Sequence, residues 1–228
     1  MLTAITYLSM LQAKPVKLAP AVFADSSTRR IVELSKKAFS NLKSAKVTIS
    51  SVGDAKTYSF AGGKVAGHQK GAQWVWSQKK LTVLCGKGLF RGTMGPYNVN
   101  AWLSKAGASP EILPIQLAAK RNPIEALINP GSRVQKVGLI TLQGVAADVI
   151  EVKSDRLRVR MAIRQDNRLI ADLTAKNVDK DGSVLFDSSR SFQWALVNKP
   201  IPSSVFVVGA GKAAKPIRGL EAGSTRTP

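Results

Sequence analysis

The chain has 228 residues, of which 44% are hydrophobic and 21% are charged, a composition typical of a globular protein and not of a disordered one. Its 34 lysines and arginines exceed its 14 aspartates and glutamates, so the formal net charge is +20 and an anionic partner is expected. One cysteine, Cys85, excludes an internal disulfide, and the single histidine, His68, leaves few ways to build a metal site or a general-base relay. We therefore expect a binding protein without cofactor or metal, and not an enzyme.

The first 24 residues have features of an export signal. Residues 2–11 are apolar, and residues 22–24 place Ala24 at the last position before a signal-peptidase site. Lys14 and Lys17 lie inside the segment instead of ahead of it, so the alternatives are an ordinary first helix or a flexible leader. Interpreting residues 1–24 as a leader or signal peptide predicts a periplasmic or otherwise extracytoplasmic protein of the cell envelope.

An amphipathic helix is predicted from 28 to 44, because its apolar side chains recur at the spacing of one helix face. Ser26 or Ser27 would cap its N-terminus. Short β-rich runs follow at 47–52, 57–60, 73–77, 81–85 and 89–94. Since most of these runs lie only a few residues apart, we expect them to pair as antiparallel hairpins.

Two short helices then interrupt the strands. Ser109 and Asn122 each precede a proline, the pattern of an N-cap followed by proline at the first helical position, and they predict helices over 110–120 and 123–128. Strands resume from 133 to about 197, and residues 209–228 are predicted to be a flexible basic tail. This order predicts an α+β fold, in which the N-terminal helix and the two short helices cover the concave face of a strongly curved antiparallel β-sheet.

Residues 156–164 alternate between apolar and cationic side chains, the period of a strand with two different faces. The apolar face carries Leu157, Val159, Met161 and Ile163. The other face and the following turn carry Arg156, Arg158, Arg160, Arg164 and Arg168. These arginines are predicted to contact an anionic surface, with a solvated outer sheet face as the alternative. Nucleic-acid binding is not favoured, because no aromatic side chains are interleaved with the arginines.

The order of elements resembles the family of the periplasmic outer-membrane lipoprotein carrier LolA and its LolB-like relatives. The resemblance lies in the first helix leading through 41–45 into a strand, in the helical interruption, in 141–152, and in 167–170 followed by Phe206. It implies one half-barrel domain over 25–208, with helices acting as a lid over acyl chains of a lipoprotein. The family's Pro-x-x-Phe-Arg type stretch, whose arginine ties down that lid, corresponds to 64–70 here, where neither proline nor arginine occurs, so lid control by that arginine is not carried over.

We therefore predict a non-enzymatic carrier, chaperone or sensor that holds acyl chains of a lipid or lipoprotein in an apolar cavity, because the sheet pattern is too long for its helices to fill. The lipid-binding residues are predicted to be Trp74, Trp76, Leu157, Val159, Met161 and Ile163, with ordinary core packing as the alternative. The lid is predicted to contain Ile31, Leu34, Ala38, Leu42, Leu113 and Leu117. The alternative function is a basic interaction module that docks an acidic protein or an anionic membrane surface. In either case we expect a monomer.

Overall fold

The computed structural model describes residues 19–69, 71–86, 88–105, 111–179 and 183–217. Its helices are α1 (Ser26–Ser40), α2 (Pro96–Lys105), α3 (Ile112–Ala118) and α4 (Pro123–Leu127), and a 3-10 turn spans Ser203–Phe206. Its strands are β1 (Val22–Phe23), β2 (Ser44–Ser51), β3 (Asp54–Ala61), β4 (Lys64–Gln69), β5 (Ala72–Ser77), β6 (Lys80–Cys85), β7 (Gly88–Thr93), β8 (Arg133–Leu142), β9 (Val145–Lys153), β10 (Leu157–Arg164), β11 (Ile170–Val178), β12 (Val184–Ala195) and β13 (Ala214–Pro216).

These strands form one sheet in the order β1-β8-β9-β10-β11-β12-β2-β3-β4-β5-β6-β7-β13. Neighbours pair antiparallel except at the two edges, where β1 pairs with β8 and β13 pairs with β7 in parallel. The sheet is curved but not closed within the described residues. Register shifts interrupt the β10–β11 ladder after Ala162 and the β8–β9 ladder after Lys136, and such irregularities increase the local twist. The predicted class, an α+β fold on a large antiparallel sheet, is confirmed.

The first helix begins earlier than the sequence predicts, because its cap is Asp25 and not Ser26 or Ser27. The Asp25 carboxylate accepts hydrogen bonds from the Ser27 hydroxyl at 2.6 Å and from the Thr28 backbone N–H at 2.7 Å. These bonds lower the pKa of Asp25 from 3.8 to about 2. The helix also ends earlier, at Ser40, because the chain extends into β2 from Ser44.

One apolar core lies between the helices and one face of the sheet, called the inner face here. Every helix contributes buried side chains to it, among them Val32, Val99, Leu103, Ile115 and Ile124. Two buried hydroxyls fasten α1 to β8 and to the turn between β10 and β11. Thr28 Oγ1 accepts a hydrogen bond from the Lys136 N–H at 3.1 Å, and Ser35 Oγ donates to the Arg168 carbonyl at 2.8 Å. The inner face is therefore covered over the region where α1 lies.

The C-terminal segment packs on the opposite, outer face of the strands β4 to β7. Val208 and Phe206 contact a small apolar cluster there, formed by Ala66, Val75, Leu84 and Leu89. The chain then pairs as β13 with β7, so part of the segment predicted as a tail contributes to the sheet. At the other end β1 lies inside the predicted leader. Residues 1–18 and 218–228 lie outside the described residues.

Candidate functional site

The structure places the predicted lipid-binding side chains in the inner core. These side chains are Trp74, Trp76, Leu157, Val159, Met161 and Ile163. Five of the six are fully or almost fully buried, and Leu157 is half-buried. The indole N–H of Trp76 donates to the Met94 carbonyl at 3.1 Å, which fixes that ring. Packed neighbours from the sheet and the helices thus surround the side chains that the sequence assigns to a cavity.

Trp74 combines complete burial with an unsatisfied polar atom. Its ring lies directly over Gly67 of the neighbouring strand, where any Cβ would collide with the indole. Tyr58 contacts the same ring, with the two ring centres 6.0 Å apart. No described group accepts a hydrogen bond from Trp74 Nε1. A buried donor without an acceptor costs free energy, so this N–H is available to an acceptor that reaches it.

A groove of about 530 Å³ lies where the helical layer ends. Its floor is apolar and consists of Phe39, Leu42, Phe60 and Leu117. All four side chains also belong to the inner core cluster, with exposed fractions between 4% and 7%. A ligand in this groove would therefore lie against side chains that are continuous with the core.

Three parts of the chain form the walls of the groove. They are the end of α1, the turn between β3 and β4, and the connection from α3 to α4. Asn122 joins two of these parts, because its Nδ2 donates to the Lys36 carbonyl at 2.8 Å and its Oδ1 accepts from the Ile124 N–H at 3.1 Å. The turn uses Gly62 and Gly63 at φ of 55° and 74°, a left-handed conformation that favours glycine.

The rim of the groove is cationic. Lys43, Lys120 and Arg121 line it, and all three residues are exposed. No aspartate or glutamate belongs to the described lining of the groove. An apolar floor with a cationic rim is the complement of an amphiphile, which has an apolar chain and a charged head.

The predicted lid residues divide between the core and this groove. Leu42 and Leu117 line the groove, Ile31 and Leu113 are buried, and Leu34 and Ala38 are half-buried. Sequence reasoning missed the remaining floor and the cationic rim, formed by Phe39, Phe60, Lys43, Lys120 and Arg121. The cationic pair at 120–121, at the end of a predicted helix, is the one local signal that pointed there.

The five predicted surface arginines do not share one environment. Arg156, Arg158 and Arg160 are exposed. Arg164 forms an ion pair with Asp166 at 2.7 Å, which raises the pKa of Arg164 and lowers that of Asp166. Arg168 lies 3.5 Å from Oδ2 of the buried Asp148. Lys136 contacts the other oxygen of the same carboxylate, Oδ1, at 2.7 Å.

Strand register creates a different cationic row on the outer face. Arg133, Lys153, Arg158 and Lys176 occupy paired positions on β8, β9, β10 and β11. Lys153 forms an ion pair with Glu151 at 2.8 Å, which lowers the pKa of Glu151. Lys176 lies 3.1 Å from Asp187. We call these four residues the outer cationic row.

The described residues contain neither a metal-binding cluster nor a membrane-spanning helix. No three histidine, cysteine, aspartate or glutamate side chains come together as a metal site would require. Within the same residues, none of the helices has the length and apolar character needed to span a membrane.

The chain is similar to several solved structures. It shares 13% identity with the lipoprotein LppX from Mycobacterium tuberculosis, covering 78% of this chain and 99% of LppX at a TM-score of 0.49. For LprF from Mycobacterium bovis the identity is 10%, the coverage 78% and 96%, and the TM-score 0.42. For MucB the identity is 13%, the coverage 82% and 65%, and the TM-score 0.45. No family model and no curated protein matches the chain.

The likeness to each of these three structures has a TM-score below 0.5. It transfers neither a site nor an activity to this chain.

Proposed function

We propose that this protein is a non-enzymatic carrier or sensor of the cell envelope that binds the acyl chain of a lipid or lipoprotein. The observation that supports the proposal is the groove, whose floor of Phe39, Leu42, Phe60 and Leu117 is continuous with the inner core. In this proposal the helices cover the concave face of the sheet, and an acyl chain enters between helices and sheet at the groove.

The driving force is removal of the acyl chain from water. Each methylene group that leaves water contributes about 0.8 kcal/mol, so ten methylenes contribute about 8 kcal/mol before the cost of ordering the chain. The groove volume of about 530 Å³ falls within the size range of sites that bind small ligands. The groove therefore suits part of an acyl chain without any other change in the fold.

Deeper insertion requires a helix to move, because the inner core is filled. The start of α3 is held by two contacts. The Glu111 N–H donates to the Tyr58 hydroxyl at 2.9 Å, and the Glu111 carboxylate pairs with Arg190 at 3.0 Å. In our proposal α3 and α4 are the moving lid, whereas the buried Thr28 and Ser35 keep α1 in place. The unsatisfied Trp74 N–H would then donate to the carbonyl of an inserted acyl ester.

A groove-filling variant tests this function. Ser40→Trp places an indole in the groove from an exposed position at the end of α1, so it should reduce uptake of a fluorescent fatty acid without removing any core side chain. Lys37→Trp adds the same ring at an exposed position of α1 outside the groove and is the matched control. Equal uptake by both variants, or no uptake by the unmodified protein, would contradict the proposal.

The outer cationic row supports a second candidate function, the docking of an anionic membrane surface or an acidic protein. Each basic residue near an anionic bilayer contributes about 1 kcal/mol, and salt screens the attraction. Replacing Arg133 and Arg158 by serine should then reduce sedimentation with phosphatidylglycerol vesicles and leave fatty-acid uptake unchanged. Sedimentation equal to that of the unmodified protein would exclude the row as the docking surface.

A further inference from the structure

The groove also distinguishes between headgroups, because all the charges on its rim have the same sign. We propose that its ligand is an anionic lipid, whose phosphate lies against Lys43, Lys120 and Arg121 while its acyl chain lies on the apolar floor. This inference rests on the proposed function and narrows it to a class of lipid.

The three cations reach the rim from two separate places in the chain. Lys43 precedes β2, and Lys120 and Arg121 form the connection between α3 and α4. Backbone hydrogen bonds hold each position. The Lys43 N–H donates to Asn198 Oδ1 at 2.8 Å, the Lys120 N–H to the Leu117 carbonyl at 3.0 Å, and the Arg121 N–H to the Gln116 carbonyl at 2.9 Å. The fold therefore brings three positive charges to one opening.

The electrostatic surroundings favour an anion at this opening. No carboxylate belongs to the described lining of the groove. The apolar floor beside the rim lowers the local dielectric constant, and this strengthens the attraction of an anion. A zwitterionic headgroup would instead bring its own cation close to the three positive charges.

A free phosphate ion is a weaker candidate than a lipid phosphate. The three cations are exposed to water, where single ion pairs contribute little. The floor of Phe39, Leu42, Phe60 and Leu117 supplies the remaining affinity only to a ligand that carries an apolar chain.

The test compares two short-chain lipids that differ only in the headgroup. Dioctanoyl phosphatidylglycerol and dioctanoyl phosphatidylcholine are titrated below their micelle concentrations, with glycerol phosphate alone as a third ligand. We expect about tenfold tighter binding of the anionic lipid, a preference that falls as salt is added. Glycerol phosphate should neither bind nor compete at the same concentrations.

A triple variant, Lys43→Gln, Lys120→Gln and Arg121→Gln, should weaken phosphatidylglycerol binding until the two affinities are about equal. The matched control is Arg30→Gln, Lys46→Gln and Lys80→Gln, which removes three exposed cations outside the groove and should keep the preference. Melting temperatures report whether the variants fold. If the triple variant does not fold, the double variant Lys43→Gln and Lys120→Gln replaces it and should reduce the preference.

The outcomes separate this inference from the proposed function. Equal binding of both lipids by the unmodified protein overturns the headgroup inference and leaves acyl-chain binding intact. A preference that survives in the triple variant, or disappears in the control, overturns it as well. If glycerol phosphate binds although it carries no acyl chain, the rim is a site for a free phosphate and the lipid headgroup inference is wrong. If neither lipid binds, both proposals are wrong.

Discussion

The inner core and the groove are built from the same kind of apolar side chain, and they differ in what covers them. Trp74, Met161 and Ile163 are completely buried between sheet and helices, whereas Phe60 and Leu117 lie where the helical layer ends. A periodic sequence shows which face of a strand is apolar. It does not show which part of that face the helices leave open. In this molecule, side chains that the helices cover are structural, and side chains beside the open part are the candidates for binding.

The largest expected effect tests the filled state of the core. Trp74→Ala should lower the free energy of unfolding by about 3–5 kcal/mol, because a large side chain is removed from a completely buried position. Urea unfolding measures this loss. Gln73→Ala, at the exposed neighbouring position, should change stability by less than about 0.5 kcal/mol. A loss below about 1 kcal/mol for Trp74→Ala would mean that this part of the interior is not tightly packed.

A smaller effect on stability, with a specific effect on binding, is expected at the groove floor. Leu117→Ala should cost about 2 kcal/mol of unfolding free energy and also change the affinity for a fatty-acid probe, because the side chain contacts both core and groove. Val99→Ala removes a buried α2 side chain outside the groove and should lower stability without changing that affinity. Identical affinity changes in both variants would show that binding follows stability and not the groove.

The contact that holds α3 offers a third comparison. Arg190→Gln removes the ion pair with Glu111, which should cost about 0.5–1 kcal/mol because both side chains are partly exposed. If α3 is the moving lid, the same variant should take up a fatty-acid probe faster in stopped-flow measurements. An unchanged association rate would assign entry to another part of the helical layer.

The smallest effect concerns the cap of α1, which we expect to remain in place during binding. Asp25→Ala should lower the melting temperature near neutral pH, because the carboxylate accepts the hydrogen bonds that start the helix. Since its pKa is about 2 in the folded protein and 3.8 ordinarily, this contribution is complete above pH 3.8 and is lost as the pH falls through 2. The difference in melting temperature between the two proteins should therefore shrink on acidification. A difference that is constant with pH would contradict the role of the charged cap.

Local patterns in the sequence were sufficient to predict most of the fold. Asn122 followed by proline placed α4, and the alternation over 156–164 placed β10 with its two faces. The strand β4 was missed because it contains Gly67. The Trp74 ring on the neighbouring strand requires a glycine at this position, and no local pattern in the sequence indicates that requirement. The helix α2 was missed because Asn98, Val99 and Asn100 have modest helix propensity.

The candidate site was less predictable than the fold, because its parts are distant in the sequence. Leu42 and Leu117 were identified from the apolar spacing of two helices. Lys43 and Lys120 lie more than seventy positions apart in the sequence, and the packing of α1 against α4 and of α3 against β3 brings their surroundings together. The assignment of lipid contact to Trp74 and to the inner face of β10 stays a prediction, and it now requires that the helices move.

Photo-crosslinking is the most direct test of whether an acyl chain lies on the floor of the groove. A fatty acid with a photoreactive group at the end of its chain is bound to the unmodified full chain, irradiated and mapped by peptide mass spectrometry. If the acyl chain lies in the groove, we expect labelled peptides that contain Phe39, Phe60 or Leu117. Labelling confined to the outer face of the sheet, or no labelling above that of a non-binding reagent, would contradict it.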